Sequence, residues 1–172
     1  MDSETKSVRF EQTVVPHLDS AYNLARWLTG NAHDAEDMVQ DACVRAYEHL
    51  DNFRAESARA WLLTIVRNVC FTWLGRRKSS TEHAEFDEEV HGAASETPES
   101  LLWQDIDSQT LRAALEKLPA EFREALVLRE LDGLSYKEIA DVAGVPIGTV
   151  MSRLARARDR LQQELCPEVK KI

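Results

Sequence analysis

Apolar residues recur at helical spacing in the last third of the chain. At about 100° of rotation per helical residue, Val150, Leu154, Ala157 and Leu161 fall within about 40° of one another. They predict one buried stripe on a helix over 146–165. Small, polar and basic residues occupy the remaining sides, so this helix is expected to pack on a core through one side only.

The residues before this helix have the pattern of a helix-turn-helix. Ser135 and Glu138 match the S-x-x-E capping box of a helix over 135–143, Gly144 suits its end, and Pro146 suits the start of the next helix. Two helices joined by a tight glycine-containing turn are typical of this motif. Two further helices are predicted before them, over 101–117 and 119–131.

The N-terminal half also predicts helices. A helical pattern over 8–29 is interrupted near Pro16, and Asp34 is the predicted N-cap of the next helix. The apolar stripe of that helix comprises Val39, Ala42, Cys43, Ala46, Tyr47 and Leu50. A third helix, over 57–78, has a stripe of Trp61, Leu62, Ile65, Val66, Val69, Cys70, Trp73 and Leu74.

One segment holds the whole excess of negative charge. The chain has 172 residues and a formal net charge of −9, and residues 81–107 contain nine Asp and Glu but no Lys or Arg. Over 79–100 the only large apolar residues are Phe86 and Val90, too few to offset the entropy of ordering the segment. The sequence therefore predicts a flexible acidic linker, 79–100, between an N-terminal helical domain, 1–78, and a C-terminal helix-turn-helix domain, 101–172.

Composition favours an all-α fold and excludes several classes of protein. Glycine (6) and proline (5) are few, and the alternation expected of strands is nearly absent. No apolar run is long enough for a membrane span, and the polar N-terminus is unlike a signal peptide, so we expect no membrane insertion and a cytoplasmic location. Three widely spaced cysteines argue against a disulfide framework, and the five histidines lack metal-site spacing, so no metal or cofactor is expected.

Two helices combine groups suited to nucleic acid. On the helix over 57–78, Arg67, Asn68 and Phe71 share the side opposite the stripe, and the helix ends in basic residues; cations can bind phosphates, and an aromatic ring can stack on an unpaired base. On the last helix, Ser152 and Arg156 lie opposite the stripe, with arginines at both edges. The alternatives are a core position for Phe71, basic residues that complement a helix C-terminus, and an ordinary ion-paired surface helix.

Two motifs resemble known regions of bacterial sigma factors. The stretch "DAEDMVQDACVRAYEHLDNF", followed by "ARAWLLTIVRNVCFTWLGRRK", resembles their second conserved region, and "LEKLPAEFREALVLRELDGLSYKEIADVAGVPIGTVMSRLARARDRL" resembles their fourth. A chain with only these two regions and a short linker is similar to the extracytoplasmic-function (ECF) group. The resemblance implies a protein that binds core RNA polymerase, directs it to promoters and assists promoter opening, in a stress or envelope response.

The resemblance also implies three sets of binding residues. The polymerase-binding positions, expected to dock on the clamp helices of the largest catalytic subunit, are Asp37, Gln40, Asp41 and Arg45. The positions for the partly single-stranded −10 element are Arg54, Ser57, Arg59, Arg67, Asn68, Phe71, Arg76, Arg77 and Lys78. The positions for the double-stranded −35 element are Thr149, Met151, Ser152, Arg153, Ala155 and Arg156, with Arg158 and Arg160 on the DNA backbone.

Met151 and Ala155 depart from the family pattern, because they offer few hydrogen bonds to bases; readout at these positions is expected to depend more on DNA shape. The resemblance further implies an anti-sigma factor as a partner and a monomer when the chain is free. The acidic linker could be a passive tether, an RNA mimic in the polymerase, or an autoinhibitory segment that visits the basic faces.

The alternatives from other classes are a stand-alone helix-turn-helix regulator and a helical adaptor that binds no DNA. A stand-alone regulator usually dimerises, and the N-terminal helices would then have no assigned role. An enzyme is not expected, because the carboxylates of "HDAED" have no partnered His, Cys or nucleophilic Ser.

Overall fold

A computed structural model of the chain describes residues 2–54, 57–80 and 108–166, with backbone only for 78–80. These residues form helices and short turns without any strand, which confirms the predicted all-α class for the described ranges. The helices, in chain order, are α1 (Ser3–Val14), α2 (Leu18–Thr29), α3 (Ala32–Glu48), α4 (Ala58–Ser80), α5 (Ser108–Glu116), α6 (Ala120–Leu126), α7 (Tyr136–Ala143) and α8 (Ile147–Leu165).

The turn between α2 and α3 shows how local sequence ends one helix and begins the next. Gly30 has a φ of 90°, in the left-handed region that favours glycine, and it closes α2. The N-cap of α3 is Asn31, whose side-chain oxygen accepts a hydrogen bond from the backbone N–H of Asp34 at 2.8 Å. The predicted cap at Asp34 is therefore wrong by three residues; Asp34 lies in the first turn, where its charge suits the helix dipole.

The N-terminal core forms where α2, α3 and α4 pack together. The predicted stripe of α3 buries Ala42, Ala46 and Leu50 and leaves its other members half-buried. In α4, Leu62, Val66, Val69 and Cys70 are buried as predicted, but Leu63 is buried as well. Because α4 contacts both the N-terminal helices and α7, its buried surface is wider than the single predicted stripe.

The C-terminal helices differ from prediction in two places. The helix expected over 119–131 is α6 followed by one π-helical turn, Val127–Leu131, and Pro119 precedes α6 as its N-cap. The helix expected over 101–117 is described only as α5, since 101–107 lie outside the described residues. The capping box of Ser135 and Glu138 is present at α7, and Gly144 ends that helix with a φ of 69°.

The two groups of helices pack against each other. Helix α4 contacts α7, and α2 contacts α6 and the π-helical turn, so the buried residues of both groups form one continuous core. This arrangement could not be predicted from the sequence. The proposed linker, 79–100, lies outside the described residues except for 79 and 80, whose backbone continues α4 beyond the expected end at Lys78.

The remaining composition-based expectations concern cysteines, metals and membranes. All three cysteines are free: Cys70 is buried, Cys43 is half-buried and Cys166 is exposed. Burial raises the pKa of the Cys70 thiol to about 12, with a smaller contribution from the charge of Glu124. Within the described ranges, no cluster of three or more His, Cys, Asp and Glu could hold a metal ion, and no helix is long and apolar enough to cross a membrane.

Candidate nucleic-acid and polymerase interfaces

Helix α8 has the predicted division between a buried and an open side. Val150 and Leu154 are each 1% exposed, and Ala157 and Leu161 are fully buried against the neighbouring helices. On the open side Ser152 is exposed, while Arg156 is only half-exposed. The orientation of α8 therefore agrees with the sequence-derived angles.

An apolar pair begins the open side of α8. Ile147 is 46% exposed and Met151 is 53% exposed, and the two residues lie one helical turn apart. Ile147 was not among the predicted site residues. Its i, i+4 relation to Met151, outside the buried stripe, is the signal that could have found it. The open side therefore offers apolar contact beside the hydroxyl of Ser152 and the half-buried Thr149.

The arginines of α8 differ in how freely they face solvent. Arg158 donates a hydrogen bond to Glu130 at 2.9 Å, and the Arg160 guanidinium lies over the Phe122 ring at 5.1 Å. Arg153 is half-buried, and its Nη1 is a buried atom without a hydrogen-bond partner among the described residues. Three of the predicted −35 arginines thus also contact, or lie within, the surrounding fold.

The predicted −10 residues lie along α4 and the turn before it. Arg54 is exposed, and its Nη1 donates to the carbonyl oxygens of Asp51 and Phe53, both at 3.0 Å. Ser57 caps α4, because its Oγ accepts from the backbone N–H of Ala60 at 3.1 Å. Beside this turn the rings of Phe53 and Trp61 are 4.9 Å apart, so Trp61 holds the turn against the helix.

The middle and end of α4 contain two cation–aromatic contacts, the second of them with Trp73, which the sequence placed on the buried stripe. The Arg67 guanidinium lies over the Phe71 ring at 4.2 Å, and Asn68 beside it is exposed. One further turn along, the Arg77 guanidinium lies over the Trp73 ring at 4.8 Å. Arg76 is exposed, and the side chain of Lys78 lies outside the described residues.

Two of these −10 residues contact the C-terminal helices. Arg67 Nε donates to Glu124 Oε2 of α6 at 2.7 Å, across 57 positions of sequence. Arg59 Nη1 donates to the carbonyl oxygen of Asp132 at 3.0 Å, across 73 positions. Sequence reasoning missed Glu124. The available signal was an acid among the apolar residues of "FREALVL", nearly all of which are buried.

Glu124 is a buried carboxylate at the junction of both helix groups. It is 1% exposed, and this burial raises its pKa to about 7, whereas the positive charges of Arg67 and Arg153 act in the opposite direction. Glu124 therefore lies near one arginine from the predicted −10 helix and one from the predicted −35 helix.

The predicted polymerase-binding residues form one exposed surface on α3. Asp37, Gln40, Asp41 and Arg45 are all exposed, and Arg45 pairs with Asp41 at 3.5 Å. The same surface contains Val44, which is 57% exposed and was not predicted. An apolar residue at this position interrupts the charged side of α3, and that interruption was the missed signal.

Comparison with known proteins places the chain in a family. The family described as "Sigma-70 region 2" matches residues 13–80, and "Sigma-70, region 4" matches residues 108–161. The ECF RNA polymerase sigma-E factor of Escherichia coli is 39% identical over 147 residues, covering 80% of this chain and 77% of that protein.

Two further relatives match most of this chain. The ECF RNA polymerase sigma factor SigE of Mycolicibacterium smegmatis is 36% identical over 157 residues, covering 91% of this chain, which spans 61% of that protein's length. The solved structure of the sigma factor RpoE with the anti-sigma factor NepR from Bartonella quintana has a TM-score of 0.71 and 32% identity, covering 91% of this chain and 96% of that one. The chain therefore belongs to the extracytoplasmic-function RNA polymerase sigma factors.

Proposed function

We propose that this chain recruits core RNA polymerase to specific promoters and assists strand opening at the start of transcription. The observation that carries the proposal is α8, which buries its predicted stripe and presents Met151 and Ser152 to solvent at the end of a helix-turn-helix. A helix with this division can enter a major groove with its open side toward the bases. In this proposal residues 101–172 bind the −35 duplex.

Residues 1–78 bind the −10 element and the polymerase in the same proposal. Exposed Asn68 lies next to Arg67 and Phe71 on α4, so an amide, a cation and an aromatic group lie together on the face proposed to bind an unpaired strand. The surface of α3 offers exposed charges around Val44 to a protein partner. The linker, 79–100, connects the two domains.

The partners in this proposal are core polymerase, promoter DNA and an anti-sigma factor. The Bartonella relative was solved with an anti-sigma factor, and that structure covers 91% of this chain. We place the free chain in the cytoplasm as a monomer. A stand-alone regulator is not favoured, because the family's polymerase-associated second region precedes the helix-turn-helix.

Reconstitution with core polymerase tests the function. The purified chain, added to bacterial core enzyme and fragmented genomic DNA of its source, should yield defined transcript starts that core enzyme alone does not yield. Sequencing the transcript ends would give the −10 and −35 elements. Sequence-specific DNA binding without any polymerase-dependent transcript would favour the stand-alone regulator instead.

The surface of α3 gives a prediction about polymerase affinity. Replacing Val44 with aspartate should weaken binding to core polymerase by about tenfold or more, since a charge at the centre of an apolar contact is costly to desolvate. Fluorescence titration of labelled protein with core enzyme measures the change. The matched control is Val15→Asp, because Val15 is similarly exposed at 51% but lies outside α3. Equal loss in both variants would contradict the assignment.

The apolar pair on α8 gives a prediction about base readout. Met151 and Ile147 can contact the C5-methyl group of thymine, which uracil lacks. Replacing thymine by deoxyuridine in a −35 duplex mapped as above should weaken binding by about fourfold at the contacted position, the value of one buried methyl. The Met151→Ala variant should bind the thymine duplex and the deoxyuridine duplex with equal affinity.

Gln163→Ala, at an exposed position in the last turns of α8, is the matched control and should keep the full uracil penalty. Fluorescence anisotropy with the two duplexes measures each penalty. An undiminished penalty in Met151→Ala would show that Met151 does not read a methyl group.

A further inference from the structure

Part of the face of α4 that we assign to the −10 strand is covered in this structure by the C-terminal helices, while Asn68 and Arg76 stay exposed. The Arg67–Glu124 and Arg59–Asp132 contacts both cross from α4 to the C-terminal group. The side chain of Arg67 is only 18% exposed and that of Glu124 only 1%. A DNA phosphate could not bind Nε of Arg67 without displacing this carboxylate.

We infer that Glu124 is an internal substitute for a DNA phosphate, and that α4 has two mutually exclusive partners, the chain's own α6–α7 surface and the single-stranded promoter. The inference rests on the proposed function of α4. In the docked form Glu124 binds Arg67, and this part of the strand-binding face is occupied. In the open form the C-terminal helices move away and that face becomes available.

The chemistry of the contact supports this exchange. A guanidinium recognises carboxylate and phosphate oxygens through the same charge-assisted hydrogen bonds, so one can replace the other. The Phe71 ring lies beneath the same guanidinium at 4.2 Å, so the aromatic group proposed for base stacking is also part of the docked contact. The carboxylate thus holds the guanidinium that a phosphate would use, directly beside the ring that a base would use.

Glu124 also interacts with the second DNA-binding helix. The positive charge of Arg153 on α8 acts on Glu124, and the buried Nη1 of Arg153 has no hydrogen-bond partner among the described residues. One carboxylate therefore attracts an arginine from each proposed promoter-binding face. Opening the chain would therefore release Arg67 and Arg153 from the same carboxylate together.

The energetics make this contact suited to reversal. Taking a carboxylate and a guanidinium out of water costs free energy that their attraction offsets only in part, so a buried pair fixes geometry more than it adds stability. The raised pKa of Glu124 reflects that cost, since burial outweighs the attraction of two arginines. A phosphate-rich ligand can then compete for Arg67 without overcoming a large net stabilisation.

Charge reversal at Glu124 tests the inference in the full-length chain. Glu124→Arg places a cation against Arg67 and Arg153, so the helix groups should separate and the radius of gyration from small-angle X-ray scattering should rise. Without polymerase, the variant should bind a fluorescein-labelled oligo(dT) about tenfold more tightly than the wild type. The oligonucleotide has about 15 nucleotides, near the usual site size. Glu121→Arg is the matched control for added charge, because Glu121 lies one turn earlier on α6 and makes no hydrogen bond to Arg67.

If Glu121→Arg and Glu124→Arg give the same radius and the same oligonucleotide affinity, the inference is overturned. Circular dichroism checks that helicity is retained. Should Glu124→Arg lose helicity, Arg67→Glu decides the question from the other side of the contact. It should expand the chain as well, and an unchanged radius in that variant also overturns the inference.

The double variant Arg67→Glu/Glu124→Arg restores the pair with its polarity reversed. We expect it to be as compact as the wild type, so the effects of the two single substitutions should not add in the double variant. Its oligonucleotide affinity should stay low, because the arginine of α4 is gone. A double variant as expanded as either single variant contradicts the inference.

The outcomes separate this inference from the proposed function. If charge reversal expands the chain but the wild type starts no transcript with core polymerase, the contact is correct and the proposed function fails. If the wild type supports transcription but the radius does not respond to either single variant, the function remains and the inference fails.

Discussion

Replacing Leu154 with alanine is expected to lower the free energy of unfolding of the C-terminal helices by about 2–5 kcal/mol. Leu154 is 1% exposed, at the centre of the stripe through which α8 packs on α5, α6 and α7. Removing its side chain loses apolar contact and leaves a cavity in a close-packed region. Urea denaturation followed by circular dichroism measures the change.

Met151→Ala is the matched control on the same helix. Met151 is 53% exposed, so its truncation should change the free energy of unfolding by no more than about 0.5 kcal/mol. The two variants should also differ in DNA binding, because Leu154→Ala loosens the whole helix whereas Met151→Ala removes one contact. Equal destabilisation by both would mean that α8 does not pack through the assigned side.

Raising the pH from about 5 to about 7.5 is expected to open the wild-type chain. The equilibrium constant for docking should fall by up to about tenfold for each pH unit. Burial raises the pKa of Glu124 to about 7 in the docked form. Once α6 leaves α4 and water reaches the carboxyl group, the pKa should return toward about 4.3, the ordinary value for glutamic acid. The docked form therefore binds the proton more tightly, and docking weakens as pH rises through 7.

The groups that act on Glu124 do not reverse this sign. Burial is the largest effect on the pKa of Glu124 and outweighs the opposing charges of Arg67 and Arg153, and Glu121 of α6 adds a small repulsion that raises this pKa further. Cys70 of α4 stays neutral, since its pKa is about 12. The radius of gyration, followed by small-angle scattering across the pH range, measures the opening.

Glu124→Gln is the control for the pH dependence. Glutamine is uncharged at every pH and can still accept a hydrogen bond from Arg67, so this variant should stay compact from about pH 5 to about 7.5. His17, whose pKa is lowered by burial and by Arg59, titrates equally in both proteins and cancels in the comparison. The same pH response in wild type and variant would exclude Glu124 as its source.

Local patterns predicted the elements of this fold well because local physics determines them. The period of Val150, Leu154, Ala157 and Leu161 fixed the orientation of α8, and the capping box fixed the start of α7. The errors are also local. Both Asn31 and Asp34 have a side-chain oxygen that can cap a helix, so the sequence allows either residue. The backbone of the preceding turn decides between them, and Asn31 is the N-cap of α3.

The contacts between the helix groups could not be predicted in the same way. Glu124 and Arg67 are 57 positions apart, and no periodicity within either helix indicates that the two side chains meet. The burial of Leu63 on α4 has the same origin, since α4 is covered from a second direction. Exposed apolar residues such as Val44 and Ile147 were missed because a helical stripe predicts which residues are buried, and says little about apolar residues outside it.

The Arg67–Glu124 pair has a consequence for exchanging parts between relatives. Grafting a foreign C-terminal region onto this N-terminal half is a natural way to retarget the protein to another promoter. Such a chimera would inherit whichever residue the donor has at position 124, and without a hydrogen-bond acceptor there Arg67 would lose its partner across the contact. Retargeting would then also alter basal activity, unless the grafted segment retains a side-chain oxygen at that position.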